Sequence, residues 1–338
     1  MTKFPSVAVV ILNWNGKKYL EKFLPSVLKC TYPNLEVIIA DNASYDDSID
    51  FILQNFPLVR IIENSLNLGF AGGYNEALKE VKSDYFILLN SDVEVEPDWI
   101  EPIIELMESD TKIAAAQPKI KDYNRKEYFE HAGAAGGFLD KYGYPFCRGR
   151  IFDTVEKDKG QYNKSGEIFW ASGAAFFIKR KAWVEAGGFD SDFFAHMEEI
   201  DLCWRLRNSS YKIMYCSGSS VYHIGGGTLS KEDPKKTFLN FRNNLWMLQK
   251  NLPKDRVFKT IFIRFWLDFI SIVKFSAEGK FKNAIAVSKA HFAFFGSLHR
   301  TNRKRKKLKN QETIGKGFYF KSIVWKYFIE RVKTFNKL

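Results

Sequence analysis

Cysteine is scarce in this chain. Its four cysteines, Cys30, Cys147, Cys203 and Cys216, are scattered, and no two form a C-x-x-C pair. That argues against a zinc site or a disulfide framework and points to a reducing, cytosolic compartment. Long apolar runs are missing too. No stretch reaches ~18 uninterrupted apolar residues, so no spanning helix is expected. The N-terminus turns apolar only briefly before Asn13 and reads as a first strand, not as a signal peptide. There is no internal repeat. Acids are the minority charge, and the 338 residues carry a net +12. A cluster of carboxylates in such a chain therefore asks for a reason. At 46% hydrophobic and 16% aromatic, the composition is that of a folded chain with a sizeable core, not a disordered one.

Strand-like and helix-like segments alternate over the first third. SVAVVILNW (6–14) is a β-branched run that ends in polar residues. GKKYLEKFLPSVLKC (16–30) is helical, with Tyr19, Phe23, Val27 and Leu28 near one face. LEVIIADNAS, VRIIENS, DYFILLN and KIAAAQPKI read as further strands. YDDSIDFILQNF reads as a helix with Ser44 as its N-cap, and GGYNEALKEV and PDWIEPIIELMES read as helices, the last with Pro97 near its first turn. Repeated β-α-β units with continuous apolar strands predict an α/β fold, a Rossmann-like, mostly parallel sheet flanked by helices. Residues 121–166 read as loops and hairpins. EEIDLCWRLRNSS then reads as a helix, and YKIMYCSGSSVYHIGGG as a strand followed by a loop.

The ends of these strands carry the chemistry. One ends at Asn13, one at Asp41 and Asn42, and one at Asn90 and Asp92, within LLNSDVEVEPDW (88–99). In a parallel sheet such ends converge on one crevice. A strand-end Asp can accept from a ribose hydroxyl or a base N–H. Gly69, Gly72 and Gly73 permit close backbone approach, and a helix starting there offers N–H groups to an anion. Asp92 suits a divalent cation, which takes carboxylate and phosphate oxygens together. Glu94, Glu96 and Asp98 read as acids at a helix start, favoured by its dipole. Glu198, Glu199 and Asp201 open a later helix. Asp201 can pair with Arg205 at i, i+4, a structural role. Glu198 and Glu199 adjoin Phe193 and Phe194, where desolvation would raise a carboxyl and suit it to general-base work. The plainer reading is an ordinary acidic first turn. His223 ends the strand SSVYH, either as a core histidine or, with Asp92, as a second metal ligand.

VVILNWNG, DNASYDDS, NLGFAGGYNEAL, LLNSDVEVEPDW, GGFDSDFFAHMEEIDLCWR and VYHIGGGT occur in this order. Together they resemble bacterial family 2 inverting glycosyltransferases with the GT-A fold, closest to the rhamnosyltransferase-like branch, over residues 5–228. The resemblance implies a nucleotide-sugar site. In it Asp41 contacts base or ribose, Asn13 and Asn42 lie on nucleotide-binding loops, and Asn67, Gly69, Gly73 and Asn75 form the Gly-rich segment. It implies that Asp92 is the last acid of the family's Asp-x-Asp motif and holds Mg²⁺ or Mn²⁺. Asn90 stands where the first acid often is, and His223 is the second ligand. The family's Glu-Asp pair falls on Glu198–Glu199. Glu199 is then the general base, carrying Glu where the family has Asp, with Glu198 as the alternative. Trp170, Ser172 and Gly173 match the part that faces donor sugar and acceptor. The implied partners are a nucleotide sugar (dTDP-rhamnose or a UDP-sugar) and a glycan or lipid-linked saccharide acceptor, in cell-surface polysaccharide synthesis. A sugar nucleotidyltransferase would carry a Gly-rich, basic phosphate loop after the first strand, which NWNGKKY fits poorly. An inactive relic would have lost the acids.

Residues 1–234 are thus expected to form the catalytic domain and 235–338 a helical, basic and aromatic extension. In the extension, IFIRFWLDFISIVKF is apolar with Arg264, Asp268 and Lys274 interspersed, and HRTNRKRKKLKN is a cationic block. This pattern suits helices lying in a membrane interface through residues 255–338, with their cations reaching anionic headgroups. The expected location is the inner face of the cytoplasmic membrane. Nucleic acid is not an expected partner, because the charge collects in the tail and not on the main domain.

Overall fold

A computed structural model describes residues 4–225, 233–308 and 315–338. Its first half contains strands β1 (Val7–Asn13), β2 (Leu35–Asp41), β3 (Arg60–Glu63), β4 (Tyr85–Asn90), β5 (Val93–Val95) and β6 (Ile113–Asp122). Between them lie helices α1 (Lys17–Leu28), α2 (Ser48–Asn55), α3 (Gly69–Ala77) and α4 (Glu101–Glu108). Next come β7 (Gly137–Asp140), β8 (Pro145–Cys147), β9 (Arg150–Ile151), β10 (Thr154–Val155), β11 (Gly166–Ile168) and β12 (Ala175–Lys179). Helices α5 (Arg180–Ala186) and α6 (Glu198–Asn208) precede β13 (Lys212–His223). The C-terminal part holds α7 (Pro234–Asn251), α8 (Lys254–Ala277), α9 (Phe281–Gly296), α10 (Leu298–Lys307), β14 (Phe318–Tyr319) and α11 (Ile323–Phe328).

The main sheet runs β11-β13-β6-β12-β4-β1-β2-β3, with β5 also paired to β13. β3, β2, β1 and β4 are mutually parallel, while β12 runs antiparallel to both β4 and β6. The two-residue period of a strand divides β1 between two cores. Val7, Val9 and Ile11 join the layer of Leu20, Leu24 and Ile103 from α1 and α4, whereas Ala8 and Val10 join that of Ala71 and Tyr74 from α3. Both faces of the sheet are therefore covered, which is why the strands read as unbroken apolar runs. The hairpins expected over 121–166 include a second sheet, β10-β9-β8-β7-β14, and its last strand arrives from the C-terminal part of the chain, parallel to β7.

Several local expectations need correction. Ser44 does not cap α2. Its N–H and hydroxyl donate to Asp41 at 2.9 and 2.6 Å, and the helix begins at Ser48, after Asp47. Leu28 does not join the buried face of α1, which consists of Leu20, Phe23, Leu24 and Val27. Glu94, Glu96 and Asp98 do not open a helix. Glu94 lies in β5 and pairs with Lys126, and α4 starts only at Glu101 with Pro102, not Pro97, in its first turn. Buried Trp99 packs edge-on against Phe177 and fixes the intervening turn.

The C-terminal helices are joined to this framework. Leu245, Trp246, Met247 and Leu248 of α7 lie in the same core as the sheet. Arg264, expected among the headgroup-reaching cations, is instead buried, and so is Asp268. Arg264 donates to Asp268 Oδ1 at 3.1 Å and to the Tyr142 carbonyl at 3.0 Å, and Asp268 Oδ2 lies 3.0 Å from His291 Nε2. The cationic block is partly absorbed as well. Lys304 pairs with Asp190 and Asp192, and Arg300 with Asp192. Residues 309 and 310 of that block lie outside the described residues.

Candidate active site

Parallel register brings Asn13 beside Asp41 at the carboxyl ends of β1 and β2. Asn13 is fully buried. Its amide donates to Asp41 Oδ1 at 3.0 Å and to the Ser44 hydroxyl at 3.1 Å. Asn42 ties this corner to the Gly-rich segment. Its amide donates to Asn67 Oδ1 and to the Gly69 carbonyl, both at 3.0 Å, and its own oxygen accepts from Leu68 N at 3.2 Å. Gly69 has φ +70°, and a Cβ there would lie 2.5 Å from the Phe194 carbonyl oxygen. A Cβ at Gly73 would meet Leu12 at 2.9 Å and Asn42 at 3.0 Å. Gly69 is therefore required by its close approach to backbone, whereas a side chain at Gly73 would have to push Leu12 and Asn42 aside. The backbone of Ala71 donates to the Phe194 carbonyl at 3.1 Å, so the Gly-rich segment touches the loop that leads to Glu198.

At the end of β4, Asp92 meets His223 from β13. His223 Nε2 lies 3.1 Å from Asp92 Oδ1 and 3.4 Å from Asn90 Nδ2. On the other side of the ring, Nδ1 faces Glu130 Oε2 at 3.5 Å, and all three ionisable groups are buried. Burial opposes a charged imidazole, but the carboxylates of Asp92 and Glu130 outweigh it and raise His223 to about 10. Among the described residues no three His, Cys, Asp or Glu side chains converge as a closed metal cage. His223 Nε2 and the Asp92 carboxylate nevertheless lie side by side and can both ligate a hard divalent cation, with phosphate and water completing its shell, once that cation has displaced the proton His223 holds. Glu130 stands where a metal-binding histidine usually has a carboxylate behind it. Sequence reasoning missed Glu130, which lies in the weakly patterned stretch 121–166. The motif VYHIGGGT places His223 within β13, but its residues 226–228 lie outside the described residues.

The second acidic site stands on an unusual loop. Phe194, His196 and Met197 all have positive φ, at 65°, 70° and 73°, a conformation that L-residues adopt only when their surroundings impose it. Asn243 of α7, fully buried, supplies part of that constraint. Its amide donates to the carbonyls of Phe193, Ala195 and His196 at 2.9, 2.9 and 2.8 Å. Glu198 and Glu199 follow as the first residues of α6. Each leaves one buried carboxylate oxygen without a hydrogen-bond partner among the described residues. Burial, reinforced by the neighbouring Glu199, raises Glu198 well above the usual carboxylate range. Glu199 keeps a small accessible edge, yet desolvation still pushes it up to about 7. Asp201 is structural, as its spacing implied. It accepts from Arg205 at 2.9 Å, Lys250 at 3.0 Å and Asn251 at 2.8 Å.

The other expected residues are placed as follows. The Asn75 amide is committed to the Phe189 backbone in both directions, at 2.8 and 2.9 Å, and to Ser191 at 2.9 Å. It joins α3 to the segment before the Glu198 loop. Trp170 is buried against Gly137, and its indole N–H donates to the Phe138 carbonyl at 2.9 Å. Ser172 is buried between Gln117 and the Ala132 carbonyl, and Gly173 faces the Phe70 ring.

A family model described as Glycosyl transferase family 2 matches residues 8–184, just over half of the chain. An N-acetylglucosaminyl-diphospho-decaprenol L-rhamnosyltransferase of Mycobacterium tuberculosis is 25% identical over 229 residues, 64% of this chain and 75% of that protein. A poly-beta-1,6-N-acetyl-D-glucosamine synthase of Staphylococcus aureus is 25% identical over 62% of this chain, which spans 47% of that protein. In fold the chain is similar to GalNAc-T7, solved with UDP, GalNAc and Mn²⁺ (TM-score 0.60, 18% identity, 75% of this chain and 49% of that one). It is also similar to the mannosyltransferase PcManGT of Pyrobaculum calidifontis, solved with GDP-Man and Mn²⁺ (TM-score 0.54, 14% identity, 91% and 86%). The fold is thus that of the GT-A glycosyltransferases, and the chain belongs to glycosyl transferase family 2.

Proposed function

We propose that this chain transfers a sugar, with inversion, from a nucleotide-diphosphate donor to a hydroxyl of a glycan or lipid-linked saccharide. The observation that carries this reading is the pair of buried, partnerless carboxylate oxygens on Glu198 and Glu199, on a loop that touches the Gly-rich segment. Asp41 and Asn13 bind the nucleoside. Asp92 and His223 would hold Mg²⁺ or Mn²⁺, which when bound neutralises charge growing on the leaving diphosphate. Glu199, with its raised affinity for a proton, takes the proton from the acceptor hydroxyl. The freed oxygen attacks the anomeric carbon from the face opposite the diphosphate, and configuration inverts. Glu198 shares the site and, by repulsion, helps keep one proton on the pair.

The relative named as an N-acetylglucosaminyl-diphospho-decaprenol L-rhamnosyltransferase supports a rhamnosyl donor and a lipid-linked acceptor; we place dTDP-rhamnose first and UDP-sugars next, in surface polysaccharide synthesis at the cytoplasmic face of the membrane. The test is release of nucleoside diphosphate from a panel of dTDP-, UDP- and GDP-sugars with Mn²⁺ present. Wild type should turn over one of them, while Glu199→Gln and Asp92→Ala should nearly abolish turnover in folded protein. Near-normal turnover in either variant removes that residue from the mechanism.

A further inference from the structure

Helix α8 is inside out. The residues it buries are Thr260, Arg264 and Asp268, spaced i, i+4, i+8. Val257, Ile261 and Phe265 lean on the core at the edge of that stripe, but six of the helix's large apolar residues face away from the protein. Phe258, Phe262, Trp266, Phe269, Ile270 and Val273 are all exposed, Phe258 by 82% and Trp266 by 62%. At about 100° per residue these six fall within an arc of roughly 120°, opposite the buried polar stripe. The neighbouring α9 continues the pattern, with Phe281, Ile285, Phe292 and Phe295 exposed. An apolar groove of about 570 Å³ opens between α8, α9 and α10, and Phe258, Phe262 and Phe295 belong both to its lining and to the exposed face. A soluble surface carries scattered apolar residues, not a continuous aromatic wall on two adjacent helices.

Charge identifies what covers this wall. Residues 254–307 contain fourteen Lys or Arg and three acids, so almost all of the net +12 of the chain is here. Asp268, one of the three acids, is buried, and the exposed Arg256, Lys259, Lys274, Lys282 and Lys289 flank the aromatic wall. A second copy would bring the same excess positive charge against itself. An anionic lipid headgroup layer complements that charge, and its acyl boundary accepts the rings. Among the described residues no helix is long and apolar enough to cross a membrane.

We propose that the exposed face of α8 and α9 docks flat on an anionic lipid bilayer. The rings enter the acyl boundary, the flanking lysines and arginines meet the headgroups, and the groove admits an acyl chain.

The test is co-sedimentation of the full chain with vesicles of phosphatidylcholine alone and of phosphatidylcholine mixed with phosphatidylglycerol. The wild type and the triple variant Phe262→Ser/Trp266→Ser/Phe269→Ser are compared. The wild type should pellet with the anionic vesicles. The triple variant should partition about tenfold or more weakly while keeping its melting temperature and its nucleotide response. Vesicles carrying brominated chains should quench part of the wild-type tryptophan fluorescence, and Trp266→Phe should lose that quenching. Failure of the wild type to bind anionic vesicles overturns the proposal, and so does undiminished binding by the triple variant. A concentration-dependent dimer that the variant abolishes would assign the face to a second copy instead. None of these outcomes depends on the glycosyl-transfer chemistry, which the donor panel tests separately.

Discussion

The side-chain amide of Asn243 lies 2.8 Å from the carbonyl oxygen of His196, two residues before Glu198, and donates to it. A residue of the C-terminal helices thereby shapes the loop that presents the candidate base. Phe193 and Ala195 are held by the same nitrogen. Replacing Asn243 with Leu leaves the Ala195 and His196 carbonyls without this donor, at a cost of about 1–3 kcal/mol, while the Phe193 carbonyl keeps the Ala195 N–H. The strained positive-φ loop should then relax. Asn243→Leu should lower kcat well beyond any change in donor KM and lower the melting temperature. Unchanged kcat in a stably folded variant would make the contact purely architectural.

Glu199 gives two pH dependences of opposite sign. As general base it must be unprotonated, so kcat should rise with pH through about 7. Stability runs the other way. The carboxyl is raised from 4.5 to about 7 by burial, so the folded state holds its proton more tightly than the unfolded chain does. Its contribution is fully present below pH 4.5 and is lost as pH rises through 7. Glu199→Gln should therefore be inactive yet melt higher than wild type at pH 8, with little difference at pH 4.5. A pH-independent difference in melting temperature contradicts this assignment.

Glu130 should act through His223. With the imidazole no longer fixed from behind, Glu130→Gln should weaken Mn²⁺ binding about tenfold or more, read by electron paramagnetic resonance titration of protein with UDP. His223→Ala should weaken it further. Equal affinity in Glu130→Gln and wild type would leave Glu130 as packing only.

The buried pair Arg264–Asp268 makes a stability prediction. Arg264→Ala takes the guanidinium from a buried carboxylate that keeps only His291 and Tyr144 and should cost about 3–5 kcal/mol, whereas Arg264→Met/Asp268→Leu should recover most of it. Chemical denaturation of the three proteins measures this. A double variant no more stable than the single one would show that the pair is needed for more than charge balance.

The strand-end groups were legible in the sequence because each follows an apolar run, and a parallel sheet must gather such ends. Asn13, Asp41, Asn42 and Asp92 were found in this way, and the structure sets Asn13 beside Asp41 and Asp92 beside His223. Glu130 and Asn243 were not legible. Glu130 precedes irregular backbone, and Asn243 lies among ordinary polar residues of a helix, so only tertiary packing gives either one a role. The inward face of α8 was not legible for a related reason. The tail's periodicity marks helices correctly, but a pattern of mixed charges and aromatics does not say which face turns inward. Arg264 and Asp268 turned inward because they found partners in each other, Asn244 and His291. Ser44 looked like a cap by its spacing, yet Asp41 and Asn13 compete for its hydroxyl and win.

The most direct test of the central claim is the thermal shift of the purified chain with UDP, dTDP, GDP and ATP, each with Mn²⁺ and with EDTA. A ligand that binds only the folded state must raise the melting temperature. A Mn²⁺-dependent rise with UDP or dTDP that is lost in Asp92→Ala is the expected result. No rise with any nucleotide, or an equal rise in Asp92→Ala, would contradict it.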